Sequence, residues 1–192
     1  MSALRVLITN AFLSGRSGSE IVTRDIALGL LRRGHSPIVY AHDLGPLAHE
    51  LRSASIPVVD EIDAIAVAPD IIHGHHNPAV AAAIARFPGV PAIFVCHEFT
   101  AWPEAPPFFP SILRYVAVDR TCADRLSVAS GIAPEHVVLH LNAVDLTRFT
   151  QQRALPERPK RALAYVKHTA HLDQIASACA ARSIELDIAG TI

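Results

Sequence analysis

The sequence predicts an α/β fold: a parallel, twisted sheet with helices on both faces, followed by the start of a second such unit. Three observations predict it. Short apolar runs of strand length alternate with stretches of helical periodicity along the whole chain. The strand runs are continuously apolar rather than alternating, as strands buried on both faces are. Of the 192 residues, 51% are hydrophobic and 18% charged, the balance of a buried core and not of a disordered chain.

The elements follow in order. Residues 4–9 read as a buried first strand, residues 10–19 as a loop rich in Gly and Ser, and residues 19–33 as a helix. In that helix Val22, Ile26, Leu30 and Leu31 keep helical spacing, and Gly34 stands where a left-handed C-terminal cap belongs. Arg32-Arg33 is a doublet at a helix end, where cations are favoured. Strands follow at 36–41, 56–59, 70–73, 92–96, 114–118 and 137–141, with helices at 46–54, 78–86 and 121–130. Residues 101–110 hold four prolines and two adjacent phenylalanines, which neither a helix nor a central strand tolerates, so a structured loop is expected there. Residues 150–160 are polar and carry two prolines, as a linker does. A strand at 161–166, a helix at 170–182 and a strand at 184–189 then form one more unit, too small to cover both faces of its own sheet. The expected domains are thus 1–149, a linker at 150–160, and an incomplete strand–helix–strand unit at 161–192.

Lys and Arg number 17 against 18 Asp and Glu, so no global field draws nucleic acid. The three cysteines, Cys96, Cys122 and Cys179, are odd in number and form no CxxC, which speaks against a disulfide framework or a zinc site and for a reducing compartment. The first residues lack the features of a signal peptide, and no apolar run reaches the about 20 residues of a membrane span. The expected location is cytoplasmic, with peripheral membrane contact left open.

Four segments can carry chemistry. Ser14-Gly15-Arg16-Ser17-Gly18-Ser19-Glu20 lies between a strand and a helix start, where unpaired N–H groups and the positive helix end suit a phosphate. It is neither a nucleoside-triphosphate loop nor the dinucleotide fingerprint, and it also fits a plain turn capped by Ser17 or Ser19. Pro69-Asp70-Ile71-Ile72-His73-Gly74-His75-His76 puts three histidines at the C-terminal end of a parallel strand, the edge where ligands bind in such sheets. No fourth metal ligand with suitable spacing accompanies them, so hydrogen-bonding residues at a cleft edge are the better reading. Cys96-His97-Glu98-Phe99 follows another strand end. His97 can orient or polarise a ligand hydroxyl and Glu98 can act as a base or accept a hydrogen bond, while strand capping by His97 and a solvated Glu98 is the plainer alternative. Asn142-Ala143-Val144-Asp145-Leu146-Thr147-Arg148-Phe149 reads as structural, with Asp145 capping a short turn.

Taken in order, these segments resemble the amino-terminal domain of family-four retaining glycosyltransferases of GT-B architecture, over residues 4–149 and more weakly 161–190. The carriers are the glycine-serine loop ending in Glu20, Pro-Asp-Ile-Ile-His-Gly-His-His, Cys-His-Glu after a strand, and Asn-Ala-Val-Asp-Leu-Thr-Arg-Phe, where the family usually has Gly in place of Ala143. The resemblance implies two facing Rossmann-like domains, of which the second grips a nucleotide-sugar donor and the first holds the acceptor. By it, Gly15, Gly18 and Ser19 lie near the donor diphosphate, and His97 is the catalytic residue beside the transferred sugar. Glu20, His73, His75, His76 and Glu98 line the sugar or acceptor side. It implies no metal and no cofactor beyond the nucleotide sugar as co-substrate, and a glycan, lipid-linked or small-molecule acceptor. Lys167 stands near the place of the family's donor-phosphate lysine, and the family's pair of glutamates falls beyond residue 192. The chain is therefore expected to be inactive alone. Two alternatives stand beside this reading: a half-enzyme or scaffold whose 161–192 tail is covered by a donor-binding partner or a second copy, and a sugar-nucleotide epimerase on the same fold.

Overall fold

In the computed structural model the described residues are 2–147, 149, 154, 156–165 and 171–189. They form two compact units, Met1–Ala143 and Val144–Ile192. The first is a seven-stranded parallel sheet in the order β3-β2-β1-β4-β5-β6-β7. Its elements are β1 (Arg5–Leu13), α1 (Gly18–Arg32), β2 (Ser36–Leu44), α2 (Pro46–Ser53), β3 (Val58–Val59), β4 (Ile71–His75), α3 (Asn77–Arg86), β5 (Ala92–Cys96), β6 (Ile112–Ala117), α4 (Arg120–Val128) and β7 (Val137–Leu139). The order reverses between β1 and β4, which makes that pair the switch point of a doubly wound sheet, where the two crossovers leave in opposite directions and open a crevice.

Alternate residues of the strands feed two cores. On one face Val6, Ile8, Val39 and Ala41 pack with Ala27 of α1 and Leu47, Ala48 and Leu51 of α2. On the other, Leu7, Ile72, Phe94 and Tyr115 pack with Val80 and Ala83 of α3 and Leu126 of α4. Both faces are therefore covered, which is why the strand runs read as continuously apolar. Cys96 and Cys122 are fully buried members of the second core, and all three cysteines are free thiols. Gly34 takes the left-handed cap after α1, at φ 80°.

The first two strands run further than their sequence suggests. β1 continues through the predicted loop to Leu13, and β2 to Leu44, with Phe12 paired to Asp43 and Leu13 to Leu44. Asn10, polar and so read as loop, is fully buried because Thr23 of α1 accepts from its Nδ2 at 2.9 Å. Leu13 continues the buried face at no exposure.

The second unit contains β8 (Arg161–Tyr165), α5 (Leu172–Ala180) and β9 (Glu185–Ala189), with β8 and β9 parallel. The linker expected at 150–160 falls partly, and Lys167 wholly, outside the described residues, as do the predicted strand end at Val166 and helix start at Ala170. Among the described residues no helix is long and apolar enough to cross a membrane.

Gly74 in β4 lies where α3 packs tightly against the sheet. A Cβ there would stand 2.5 Å from Val80 Cγ2 and 2.8 Å from the Ile93 carbonyl oxygen, whereas one on Gly18 would meet nothing within 4 Å. Gly74→Ala should therefore lower the stability of the chain by about 1–3 kcal/mol through overpacking. Gly18→Ala should change it by less than about 1 kcal/mol. Urea denaturation of both variants checks the contrast, and equal losses would be inconsistent with this packing.

Candidate functional site

The C-terminal ends of β1, β4 and β5 are neighbours in the sheet, and all but one of the site residues read from the sequence follow or end one of these three strands. After β1 the chain turns through residues 14–17 into α1. Glu20, at the third helical position and 3% exposed, reaches back over this turn. Its Oε1 accepts from the Gly15 N–H and its Oε2 from the Ser17 N–H, both at 2.7 Å. Ser17-Gly18-Ser19-Glu20 has the spacing of a capping box, so this brace is a property of the local sequence. Glu20 thus uses both oxygens on its own loop, and the Gly15 N–H is occupied by its carboxylate. The Gly18 and Ser19 amides have no carbonyl one turn back to donate to. Among the described residues no side chain accepts from them, and the space over Gly18 is open.

After β5 the decisive residue is one the motifs do not contain. Trp102–Glu104 forms a single 3-10 turn in the proline-rich loop, and it carries the Glu104 carboxylate inward to 3% exposure. Glu104 Oε2 accepts from the His97 backbone N–H at 2.9 Å, and Oε1 lies 3.2 Å from His76 Nε2. His76 Nδ1 in turn accepts from the Ala11 N–H at 3.1 Å. A nitrogen that accepts from an amide carries no proton, so His76 bears its proton on Nε2 and donates it to Glu104. One carboxylate thereby ties together the ends of β1, β4 and β5. His76 has φ 60°, a backbone region that a non-glycine residue occupies only when its surroundings hold it there. A lone acid within Trp102-Pro103-Glu104-Ala105-Pro106-Pro107 was the available signal, but its partners lie in other segments.

Three imidazoles fill the floor between β4 and β5. His73 and His75 share a face of β4, with ring centroids 4.8 Å apart. His75, with no exposure, has its Nδ1 2.5 Å from Nε2 of His97. Thr9 holds the His75 backbone, its hydroxyl bonded to both the N–H and the carbonyl at 3.1 Å. Burial keeps these rings neutral: it lowers His73 to about 4, lowers His75 well below the ordinary value, and lowers His97, for which the nearby Glu104 charge works in the opposite direction. Among the described residues no group of three or more His, Cys, Asp or Glu side chains is arranged to hold a metal ion.

Glu98 closes its own loop. Oε1 accepts from the Thr100 hydroxyl at 2.7 Å, and Oε2 accepts from the amides of Thr100 at 2.9 Å and of Ala101. The Thr100 hydroxyl, first, and these amides hold its carboxyl below the usual range. Arg125 of α4 pins the same loop through the carbonyls of Glu98 and Ala101. Asp145 caps its turn as expected, with Oδ1 accepting from the Thr147 amide and hydroxyl. The structure thus separates the predicted groups into two sets. Among the described residues, the Gly18 and Ser19 amides and the Nδ1 of His97 have no partner, whereas Gly15, Glu20, His75, His76 and Glu98 are hydrogen-bonded within the protein and His73 packs against the His75 ring.

The profile of Glycosyltransferase Family 4 matches residues 16–148, more than half of the chain and nearly all of the first unit. The chain belongs to this family. A search of curated proteins returned no match. Among solved structures, a glycosyltransferase from Rickettsia africae superposes with a TM-score of 0.68 at 15% identity, covering 98% of this chain and 60% of that one. Anabaena HepE, solved with UDP and glucose, gives 0.56 at 17% identity, covering 78% of this chain and 47% of its own. A Listeria monocytogenes protein assigned as a UDP-N-acetylglucosamine 2-epimerase gives 0.61 at 14%, covering 100% and 64%. At these identities the likeness is one of fold, the Rossmann-like half shared by GT-B proteins. The family-4 chain spans about half the length of HepE.

Glu104→Gln should destabilise the chain by about 1–3 kcal/mol, because whichever way the amide is turned its NH₂ faces an N–H donor. An unchanged urea midpoint would show that the carboxylate does not tie the strands. The histidines set a pH dependence. His73 resists protonation when folded and accepts it freely when unfolded, so between its ordinary 6.5 and about 4 the unfolded chain binds more protons. Stability is full above that window and falls as pH falls through it. Denaturation midpoints measured from neutral to mildly acidic pH should show this decline, and His73→Gln should reduce its slope while buried His75 keeps the remainder.

Proposed function

We propose that this chain supplies the acceptor side of a retaining glycosyltransferase of GT-B design, which moves a sugar from a nucleotide-sugar donor to a hydroxyl of a glycan, lipid-linked or small-molecule acceptor. The observation that carries the reading is the pairing of an open helix start with His97 on one sheet edge, at the strand-order reversal of a family-4 fold. The free amides of Gly18 and Ser19, with the positive end of α1, suit the leaving diphosphate, and such a group stabilises developing charge without a metal or an organic cofactor. His97 orients the transferred sugar or the acceptor hydroxyl from the neighbouring strand end. Glu20, Glu98 and Glu104 hold these groups in place. The free thiols are in keeping with work in the cytoplasm, with or without peripheral contact with a membrane.

On this reading the donor nucleotide is gripped mainly by residues outside the first unit, so the first unit without them does not transfer sugar. A second reading has one observation in its favour. In the second unit Leu163 and Tyr165 are exposed at 69% and 74%, an apolar surface that a donor-binding partner subunit or a second copy would cover. Titration of the chain with UDP, GDP and their sugar conjugates, followed by melting temperature, tests both. Binding at a hundredfold excess over Kd would add roughly 2.7 kcal/mol. No shift is expected. A shift at every chain concentration would place the donor site within this chain and overturn the acceptor-side assignment, and one that appears only at high concentration would favour the self-assembled form.

A further inference from the structure

The contact between His75 and His97 fixes more than a position. Their ring centroids are 4.8 Å apart with planes inclined by 18°, and the joining nitrogens are 2.5 Å apart. The centroid distance is close to the nitrogen separation plus two ring radii, so the rings meet edge to edge, nearly in one plane, and do not stack face to face. At that separation one proton lies between the nitrogens, since two lone pairs or two N–H groups would repel. Either His75 Nδ1–H donates to His97, or His97 Nε2–H donates to His75.

The far side of His75 decides between them. Its Nε2 is buried and has no hydrogen-bond partner among the described residues. If His97 donated, neutral His75 would carry its own proton on Nε2, a buried N–H with no acceptor. If His75 donates, Nε2 is only a lone pair without a donor. Orphaned buried N–H groups are the rarer of the two in folded proteins, because a donor left without an acceptor has no second way to be satisfied. We infer that His75 donates from Nδ1 to His97 Nε2 and thereby fixes His97 as the Nδ1–H tautomer, so that His97 meets its ligand as a hydrogen-bond donor and not as a base.

His75 is then a positioning residue acting through His97. Within the glycosyl-transfer reading, on which this role rests, His97 Nδ1–H donates to an acceptor oxygen, a hydroxyl or ring oxygen of the sugar or a phosphate oxygen, and the acceptor hydroxyl must lose its proton elsewhere. Nothing among the described residues uses His97 Nδ1, which leaves it for that oxygen.

The test is a long-range 1H–15N spectrum of the whole chain, labelled at histidine nitrogen, at neutral pH and without ligand. His97 signals are assigned by their loss in His97→Gln. The expected result is a bare-nitrogen shift for His97 Nε2 and a protonated Nδ1. His75→Phe removes the donor and should move His97 Nε2 toward the protonated position. His75→Asn, whose amide can donate from nearly the same place, should restore the wild-type pattern. A protonated Nε2 on wild-type His97 overturns the proposal, as does a His97 pattern unmoved by His75→Phe. Should the Phe variant fail to fold, the wild-type spectrum decides, with loss of the pattern in His75→Asn counting against. No nucleotide or sugar enters the measurement, so its failure leaves the glycosyl-transfer reading standing, and failure of that reading leaves the tautomer intact.

Discussion

A carboxylate taken out of water must be repaid with hydrogen bonds, and in this protein the groups that satisfy Glu104 come from two strands at once. The His97 amide belongs to the end of β5 and the His76 ring to the end of β4, and the ring's other nitrogen reaches β1 through Ala11. Removing one partner would leave a buried charge unsatisfied, so the three strand ends hold their relative positions as a set. The left-handed backbone at His76 and the floor of imidazoles beside it both depend on this arrangement. Rigid strands deliver the residues to the edge of the sheet, and one acid from a loop fixes how they face.

The same logic recurs at smaller scale. Glu20 braces the turn before α1, and Glu98 braces the turn after β5, each by accepting from amides of its own loop. Three acids that might have met a ligand are thus consumed in holding loops. What remains open is the start of α1 and the Nδ1 of the His97 imidazole. This division between groups that hold and groups that face outward is what a site working by orientation and electrostatics requires, since preorganised donors need not rearrange when charge develops.

Much of this was legible in the sequence. The strand and helix order, the parallel sheet and the cleft-edge position of the histidines followed from apolar periodicity and from Gly and Pro punctuation, which are local signals. The brace of Glu20 was legible too, in the Ser-x-x-Glu spacing, although a ligand contact was the first expectation for that residue. The ends of β1 and β2 were not, because buried Asn10 looks like loop until Thr23 is known to satisfy it. Glu104 was hidden for a related reason. Its role depends on partners from 7 to 28 residues away in a proline-rich segment with no periodicity. Local chemistry writes itself into spacing, whereas a long-range hydrogen bond leaves only a polar residue in an apolar setting.

The unequal length of the strands has a further consequence. β4 stops at His75, while β1 continues to Leu13, with β2 still paired to it on the far side. Over those last residues β1 has lost its neighbour on the β4 side, and a bare strand margin of this kind invites an extended segment of another chain to add itself. The His76 imidazole fills the gap. By accepting from the Ala11 amide it stands in for the missing strand and closes the ladder with a side chain. The residue that helps hold the crevice thus also shields the sheet against uninvited pairing, and a protein lacking that ring would face its neighbours with an unguarded flank.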